Sequence, residues 1–372
     1  MDDSMKENIS LWQLFILILL FNLGSSIVLN LGTEAKNNAW ISILIACAAG
    51  LLLVFIYYQL LSWYPKQNLF EIIEACFGKW LGRLFSTLYI VNFFLLASFV
   101  LRDFGELMVS TIYTRTPIEF IHLTMIIVIL YILTLGIEVL GRAAEIFIPY
   151  ALLFLLFVGL GIIFSGEFDI ENLFPILGDG LMPVLKPVYP VLLNFPFGEF
   201  ITFMVIIPYV SNIRYARKVG ISAYLLSGII LAYSAILQIA ALGILKDRAN
   251  FPLLSAAREI SLLHFIERID LLIVFIMMLG IVVKVSVLFY GGLKGLEHIF
   301  RLPYRSFGFP MAMIVSLFSI SIGEDYPSYF EKGVIFIPNY FQTPLNMIIP
   351  LLLLTIAFIK KKMGLVNKNE SI

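Results

Sequence analysis

Two charged residues lie within long apolar stretches of this sequence, where lipid rather than water would surround them. Glu199 sits near the middle of the run 188–213, and Lys284 sits nine residues from the end of the run 271–293. A charge at the centre of a membrane helix costs roughly 2.5 to 3.5 kcal/mol on insertion scales, so such residues usually face a cavity, pair or titrate. Both are therefore candidates for ligand binding or ion coupling. The alternative for Glu199 is a protonated, structural hydrogen-bonding group.

Two of the apolar runs also contain residues that interrupt helices. Residues 22–26, Asn-Leu-Gly-Ser-Ser, lie near the middle of the run 9–33, and residues 194–199, Asn-Phe-Pro-Phe-Gly-Glu, lie within 188–213. Proline removes a backbone donor and glycine permits unusual dihedral angles. A break at membrane depth is tolerated where it lines a protein-enclosed cavity. The structural alternatives are close packing of small residues at the first segment and a simple proline kink at the second.

These features belong to ten apolar runs, each long enough to cross a hydrocarbon core of about 30 Å. The runs are 9–33, 40–63, 84–101, 120–137 and 146–166, followed by 188–213, 219–245, 271–293, 306–323 and 333–359. The breaks fall in the first run of each group of five. Transporters built as inverted repeats place discontinuous helices at such corresponding positions, with the substrate between them. Half-helix N-termini there favour a carboxylate and unwound carbonyls favour an ammonium, so a zwitterionic amino acid suits the site.

Composition excludes several other classes of protein. Of the 372 residues, 60% are hydrophobic and 13% are charged, against about 25% charged in soluble domains. The formal net charge is zero, so the basic surface typical of nucleic-acid binding is not expected. We find no phosphate-binding glycine loop or paired-histidine zinc motif, and the two cysteines cannot form a disulfide framework. We therefore predict no enzymatic activity, no cofactor, no metal and no nucleic-acid partner.

The basic residues predict the orientation of the chain. Fifteen of the 25 lie in the loops of one side and nine in the loops of the other, and the richer side is normally cytoplasmic. Both termini are therefore predicted to be cytoplasmic, with a C-terminal tail at 361–372 and no cleaved signal peptide. We predict a single polytopic membrane domain over 1–372, with one repeat at about 9–166 and a second at about 188–360.

A polar stripe marks the third run. Asn92, Leu96, Phe99, Asp103 and Glu106 recur at helical spacing and become polar toward the predicted external end. Two interpretations remain open for this stripe: the wall of a pocket, or helix packing that ends in a solvated tip.

Several short segments, taken in order, resemble a known family. They are Asn-Leu-Phe-Glu-Ile-Ile-Glu at 68–74, Phe-Gly-Lys-Trp-Leu-Gly at 77–82, Arg-Asp-Phe-Gly-Glu at 102–106, Thr-Pro at 116–117, Gly-x-Glu-x-x-x-Arg at 136–142, Asn-Leu-Phe-Pro at 172–175, Phe-Pro-Phe-Gly-Glu at 195–199, and Pro208. The chain resembles, over nearly its whole length, the endospore germination permeases of the amino acid–polyamine–organocation superfamily. These are the B subunits of spore germinant receptors.

The resemblance implies an all-α membrane protein of ten transmembrane helices. It would have a 5+5 inverted repeat of the leucine-transporter type, with broken helices 1 and 6. It also implies the inner membrane of a spore former, A and C subunits as partners, and a small nutrient germinant, often an amino acid. By position, the ligand-binding residues would be Gly24, Ser25, Ser26, Asn92, Phe93, Asn194, Phe197, Gly198, Glu199 and Tyr290.

Lys284 departs from the sodium-coupled relatives of this fold, whose eighth helix supplies oxygens to a cation. An ammonium at this position could replace a sodium ion. Three functions remain open: a germinant-binding receptor subunit, a proton-coupled amino-acid transporter that uses Glu199 or Lys284, and a structural subunit that binds no ligand.

Overall fold

The computed structural model describes residues 8–260, 270–323, 329 and 331–364. Within these residues the chain is helical apart from turns, and its one β-type contact is an isolated bridge between Ile9 and Val210. The α-helices are α1 (Leu11–Leu23), α2 (Ala39–Trp63), α3 (Leu69–Thr111), α4 (Ile118–Leu135), α5 (Ile137–Phe164), α6 (Met182–Leu185), α7 (Ile213–Leu242), α8 (Pro252–Glu259), α9 (Asp270–Phe300), α10 (Arg305–Ser321) and α11 (Ile349–Lys362). The prediction of an all-α protein is confirmed.

The described helices reproduce the order of the predicted membrane spans. Seven of them are long and apolar enough to cross a membrane, and Leu11–Leu23 and Arg305–Ser321 are shorter apolar helices. The remaining passage is the interrupted stretch between α6 and α7. The predicted tail 361–372 falls partly outside the described residues.

The first and sixth spans are broken, as the glycine and proline signals predict. Helix α1 ends at Leu23, and Gly24 has a φ of 19° and a ψ of −123° that no helix contains. The chain then continues through turns to a 3₁₀ segment at Thr33–Asn38. The sixth span consists of a π-helical turn at Val188–Leu192 and 3₁₀ segments at Gly198–Val205 and Ile207–Tyr209.

Two other spans differ from the predicted regular helices. The third is longer than the predicted run 84–101, because Asn68 and Glu71 form a capping box that starts α3 at Leu69. The single interruption of this helix is at Gly78, whose φ is 78°. The tenth is π-helical at Glu331–Phe336, Pro338–Gln342 and Pro344–Ile348, and becomes α-helical only at Ile349.

The most buried of the long helices are α1 and α9. Residues 16–21 of α1 and residues 283–293 of α9 are almost completely inaccessible to solvent. Helix α9 packs along α3, and α1 packs against α7, α5 and α9. Helices that are apolar all round belong at the centre of a bundle, so both breaks and both charged residues face the protein interior.

Candidate functional site

The two charges within the spans form one ion pair. Lys284 Nζ lies 2.7 Å from Glu199 Oε2, and the side chains are 0% and 1% exposed. The ammonium also lies over the ring of Phe195, at 4.4 Å from its centroid, and over that of Phe21, at 5.2 Å. Cation–π contacts of this kind are strongest where water is excluded. The pair thus joins α9 to the broken sixth span, with an aromatic ring from each broken span beside it.

Local backbone structure favours both charges in these places. Glu199 stands in the first turn of the segment Gly198–Val205, where free N–H groups and the positive end of a helix dipole stabilise a carboxylate. Lys284 lies against the C-terminal end of α1, because its Cδ would be 2.8 Å from a Cβ atom at Gly24. Unpaired carbonyls at a helix end favour a cation. Each break therefore stabilises one member of the pair.

A small cavity of about 30 Å³ lies beside the pair. It is lined by Leu29, Leu96, Phe99, Val100, Asp103, Phe195, Glu199, Tyr329, Gly333 and Gln342. A volume of this size holds about one water molecule. The structure therefore represents a closed state, in which an amino acid would fit only after neighbouring elements move.

Helix α3 supplies one wall of this cavity and resolves the two interpretations of its stripe. Leu96, Phe99 and Asp103 face the cavity, whereas Glu106 pairs with Arg102 at 2.6 Å. The Tyr329 hydroxyl donates a hydrogen bond of 2.5 Å to Asp103 Oδ1 and lies 2.8 Å from the carbonyl oxygen of Phe99. Leu96, Phe99 and Asp103 of the stripe thus form a pocket wall, and the acidic group of this wall accepts a hydrogen bond from Tyr329.

At the first break, space is tight around Gly24. A Cβ atom added at Gly280 of α9 would lie 2.9 Å from Gly24 Cα, so the backbones touch. The hydroxyls of Ser25 and Ser26 are buried and have no hydrogen-bond partner that meets geometric criteria among the described residues. Asp103 of α3 lines the same cavity as Glu199. The first break, α3, α9 and the sixth break therefore converge.

Helix α7 anchors the rest of the first break. Asn22 donates a hydrogen bond of 2.9 Å to Ser227, and Ser234 donates one of 2.9 Å to the Ile27 carbonyl. These bonds satisfy the Asn22 amide and the Ile27 carbonyl, which lie beside the interruption of the helix. Polar groups at a break in hydrocarbon must find partners within the protein.

The sixth break is tied to the tenth span through Asn194. Its amide donates to the carbonyl of Pro338 at 3.0 Å and to the hydroxyl of Thr343 at 2.8 Å, and its oxygen accepts from Asn346 at 3.1 Å. Gln342 of the same span lies 3.5 Å from Glu199 Oε1. The sequence analysis did not assign any site residue to the tenth span, although a signal was present. Its polar residues recur at i, i+3, i+4 and i+7, which places them on one helical face; they are Asn339, Gln342, Thr343 and Asn346.

Nine of the ten predicted ligand-binding residues are not among the residues that line the cavity. Phe93 packs against Phe70 and Tyr89, and Phe197 packs against Tyr224. The Tyr290 ring contacts Tyr304 edge-on at 5.5 Å. Asn92 is buried, and neither end of its amide meets hydrogen-bond geometry with a described residue.

Gly198 stands at the break itself, where a Cβ atom would lie 2.8 Å from the Leu193 carbonyl oxygen. Glu199 is the predicted site residue that lines the cavity.

Sequence comparison shows the family to which the chain is similar. The model of a family described as "Spore germination protein" matches residues 8–325. The chain is 35% identical to spore germination protein KB of Bacillus subtilis over 368 residues, which covers 98% of each chain. It is 26% identical to spore germination protein YndE of the same organism over 287 residues, 76% of this chain and 77% of the relative. It is also 26% identical to spore germination protein GerQB of Bacillus cereus over 300 residues, 79% and 81% respectively.

Structural comparison confirms the predicted fold. The crystal structure of MhsT in complex with L-phenylalanine superimposes with a TM-score of 0.67 at 11% sequence identity, over 93% of this chain and 97% of that one. Similarity at this identity concerns the fold alone. The leucine-transporter-type fold that the family resemblance implies is therefore confirmed, and the ligand-binding role of the individual residues stays a prediction.

Proposed function

This chain belongs to the spore germination protein family and is a permease-like member of it, and we propose that it is the germinant-binding B subunit of a spore germinant receptor. The germinant is a small nutrient, an amino acid, that binds between the broken first and sixth spans. The chain senses this ligand and has no enzymatic activity. Its partners are the A and C subunits of the receptor, and it resides in the inner membrane with both termini cytoplasmic.

One observation carries the proposal: a fully buried ion pair stands where the two breaks meet, beside a closed cavity. A transporter of this fold closes around a substrate and a coupled cation. Here the Lys284 ammonium is a fixed positive charge that pairs with the Glu199 carboxylate at the sixth break. The closed arrangement therefore has its own internal cation, which suits a receptor that changes state when a ligand binds.

Charge and space support an amino acid as the ligand. The Asp103 and Glu199 carboxylates both line the cavity, and a ligand ammonium could pair with the first while Lys284 neutralises the second. The fold relative MhsT was solved with L-phenylalanine. Because the closed cavity holds about one water molecule, binding requires the walls to separate. A ligand that binds only the separated state shifts the equilibrium toward it, and this shift would be the signal to the partner subunits.

Ligand binding is tested on the purified chain in lipid nanodiscs with a panel of single amino acids. A ligand present at about 100 times its Kd stabilises the folded state by about 2.7 kcal/mol, so one or more amino acids should raise the unfolding temperature. Leu96→Trp fills the cavity and should abolish this rise. Leu81→Trp is the matched control, since Leu81 lies on the same helix with its side chain exposed. A rise that survives Leu96→Trp contradicts the placement of the site.

The alternative function is proton-coupled transport of the amino acid, which Glu199 and Lys284 would serve by exchanging a proton. Vesicles containing the chain distinguish the two functions. Binding without accumulation of the labelled amino acid under a proton gradient supports the receptor, and gradient-dependent accumulation supports the transporter. If no amino acid of the panel raises the unfolding temperature of the folded chain, the chain is a structural subunit that binds no ligand.

A further inference from the structure

A second and larger cavity, of about 330 Å³, lies at the end of the bundle predicted to be external. Its walls come from the 3₁₀ segment after the first break, the loop that follows α5 and the end of α7. The lining residues are Lys36, Asn37, Glu171, Asn172, Phe174, Pro175, Ile239, Gly243, Ile244, Lys246 and Asp247. None of them lines the cavity beside Glu199. The two cavities are therefore separate, and this one is large enough for a small organic molecule.

Lys246 is the unusual residue of this outer cavity. The residue is 2% exposed, although lysine side chains normally reach water. Its ammonium has no hydrogen-bond partner among the described residues. A buried charge without a partner is costly, so a cation held in a cavity wall is a group that an anionic ligand would satisfy.

The other polar groups of the cavity are already engaged or exposed. Asn37 donates to the carbonyl of Pro175 at 3.1 Å, and Asn172 donates to that of Ala240 at 3.0 Å. Glu171 and Asp247 are exposed at the rim. Their negative charges oppose a multiply charged anion but can accept an ammonium group. The Lys246 ammonium is thus the buried polar group of this cavity that lacks a hydrogen-bond partner among the described residues, and acidic residues lie near it.

The outer cavity is also connected to the first break. The carbonyl oxygen of Lys246 accepts a hydrogen bond of 3.2 Å from the Asn30 side chain, and Asn30 belongs to the unwound stretch after Gly24. Lys36 and Asn37 also line the cavity and belong to the segment that follows the same stretch. A molecule bound across this cavity would bridge the end of α7 to the chain that leaves the break.

We propose that this cavity is a second binding site, for a small monocarboxylate whose carboxylate pairs with Lys246. Occupancy stabilises the described arrangement of the segment between Gly24 and Asn38, because the ligand connects that segment to α7. The site does not depend on the identity of the germinant or on ligand binding beside Glu199.

Acetate is the probe, compared with chloride at equal ionic strength, and the readout is the unfolding temperature of the purified full chain. The wild type should show a saturable rise with acetate. Lys246→Met removes the charge at similar volume and should weaken the apparent acetate affinity about tenfold or more, as loss of a buried charge pair does. Lys186→Met is the matched control because Lys186, also in a predicted external loop, is exposed and does not line the cavity; it should keep the rise.

Two further measurements decide the remaining outcomes. Equilibrium binding of radiolabelled acetate to Lys246→Gln, a second neutral variant, repeats the test without reliance on thermal stability. Leu96→Trp blocks the cavity beside Glu199 and should leave acetate binding intact. The proposal is overturned if the wild type shows no saturable acetate response, if both Lys246 variants bind like the wild type, or if Leu96→Trp removes binding.

Discussion

Lys284 and Glu199 form an ion pair 2.7 Å long between α9 and the broken sixth span, with both side chains excluded from solvent. The pair lies against Gly24 on one side and the rings of Phe21 and Phe195 on others. Two charges that would each be costly in lipid are stabilised by each other and by the ends of interrupted helices. This pair connects α9 with the first and sixth breaks, and the first predictions concern it.

Removal of one member of the pair should destabilise the closed state. Glu199→Gln or Lys284→Met leaves an uncompensated buried charge, which costs about 3 to 5 kcal/mol. The double variant removes both charges and should recover most of that loss. Thermal unfolding of the four proteins in nanodiscs measures the coupling free energy.

The control for this cycle is Arg142→Gln, which breaks the 2.6 Å pair with Glu138, where the two side chains are 70% and 40% exposed. An exposed pair contributes about 0 to 1 kcal/mol, so little should change. Additive effects of the two single variants at Glu199 and Lys284 would contradict a direct interaction.

Close contact between the first break and α9 should make Gly280 intolerant of a side chain. Gly280→Ala places a Cβ 2.9 Å from the Cα of Gly24, and overpacking of this kind costs about 1 to 3 kcal/mol. Gly308→Ala is the control, because the one atom within 4 Å of its added Cβ is a terminal carbon of Leu130, which can move. Equal unfolding temperatures for the two variants would contradict the predicted contact.

Hydrogen bonds of Asn194 should couple the sixth break to the tenth span. Asn194→Ala leaves the buried Asn346 amide without its acceptor, at a cost of about 1 to 3 kcal/mol. Thr343→Val removes one of the same bonds and should cost less. Amide hydrogen exchange over residues 338–348 should accelerate in Asn194→Ala, and unchanged exchange there would show that the tenth span is held by other contacts.

The Tyr329 hydroxyl should control access to the cavity beside Glu199. Tyr329→Phe removes the donor that lies 2.5 Å from Asp103, so the chain at residue 329 should separate from α3 more often. A cysteine placed at Leu96 should then react faster with a water-soluble thiol reagent than in the parent. Cys47 and Cys76 are buried and give little background, and equal rates with and without the hydroxyl would exclude this role.

The breaks could be predicted from sequence because glycine and proline change backbone geometry wherever they stand. The same holds for the burial of Glu199 and Lys284, since ten apolar runs leave them no path to water. Their pairing could not be predicted, because it depends on how far α9 is rotated about its axis relative to a sixth span that is not a regular helix. Rotation of packed helices is set by side-chain interdigitation, which one sequence does not reveal.

The role of the tenth span shows a different limit. Its polar residues lie at helical spacing, but the backbone there is π-helical at Pro338–Gln342 and Pro344–Ile348. Gln342, Thr343 and Asn346 nevertheless all contact the sixth break. The spacing therefore indicates the polar face, whereas the element that this face meets could not be predicted from one sequence. Likewise, Lys246 follows an apolar run and is typical of a solvated helix end by sequence alone. Its burial results from loops that pack over it from other parts of the chain.

Germination assays on spores test the central account most directly. Spores that carry this chain as their sole receptor B subunit are exposed to a panel of single amino acids, with the amount of the chain in the membrane measured in parallel. We predict that Glu199→Gln abolishes the response to the amino acid that triggers the wild type, whereas Arg142→Gln retains it at equal protein level. An unchanged response of Glu199→Gln spores would contradict ligand sensing at the two helix breaks.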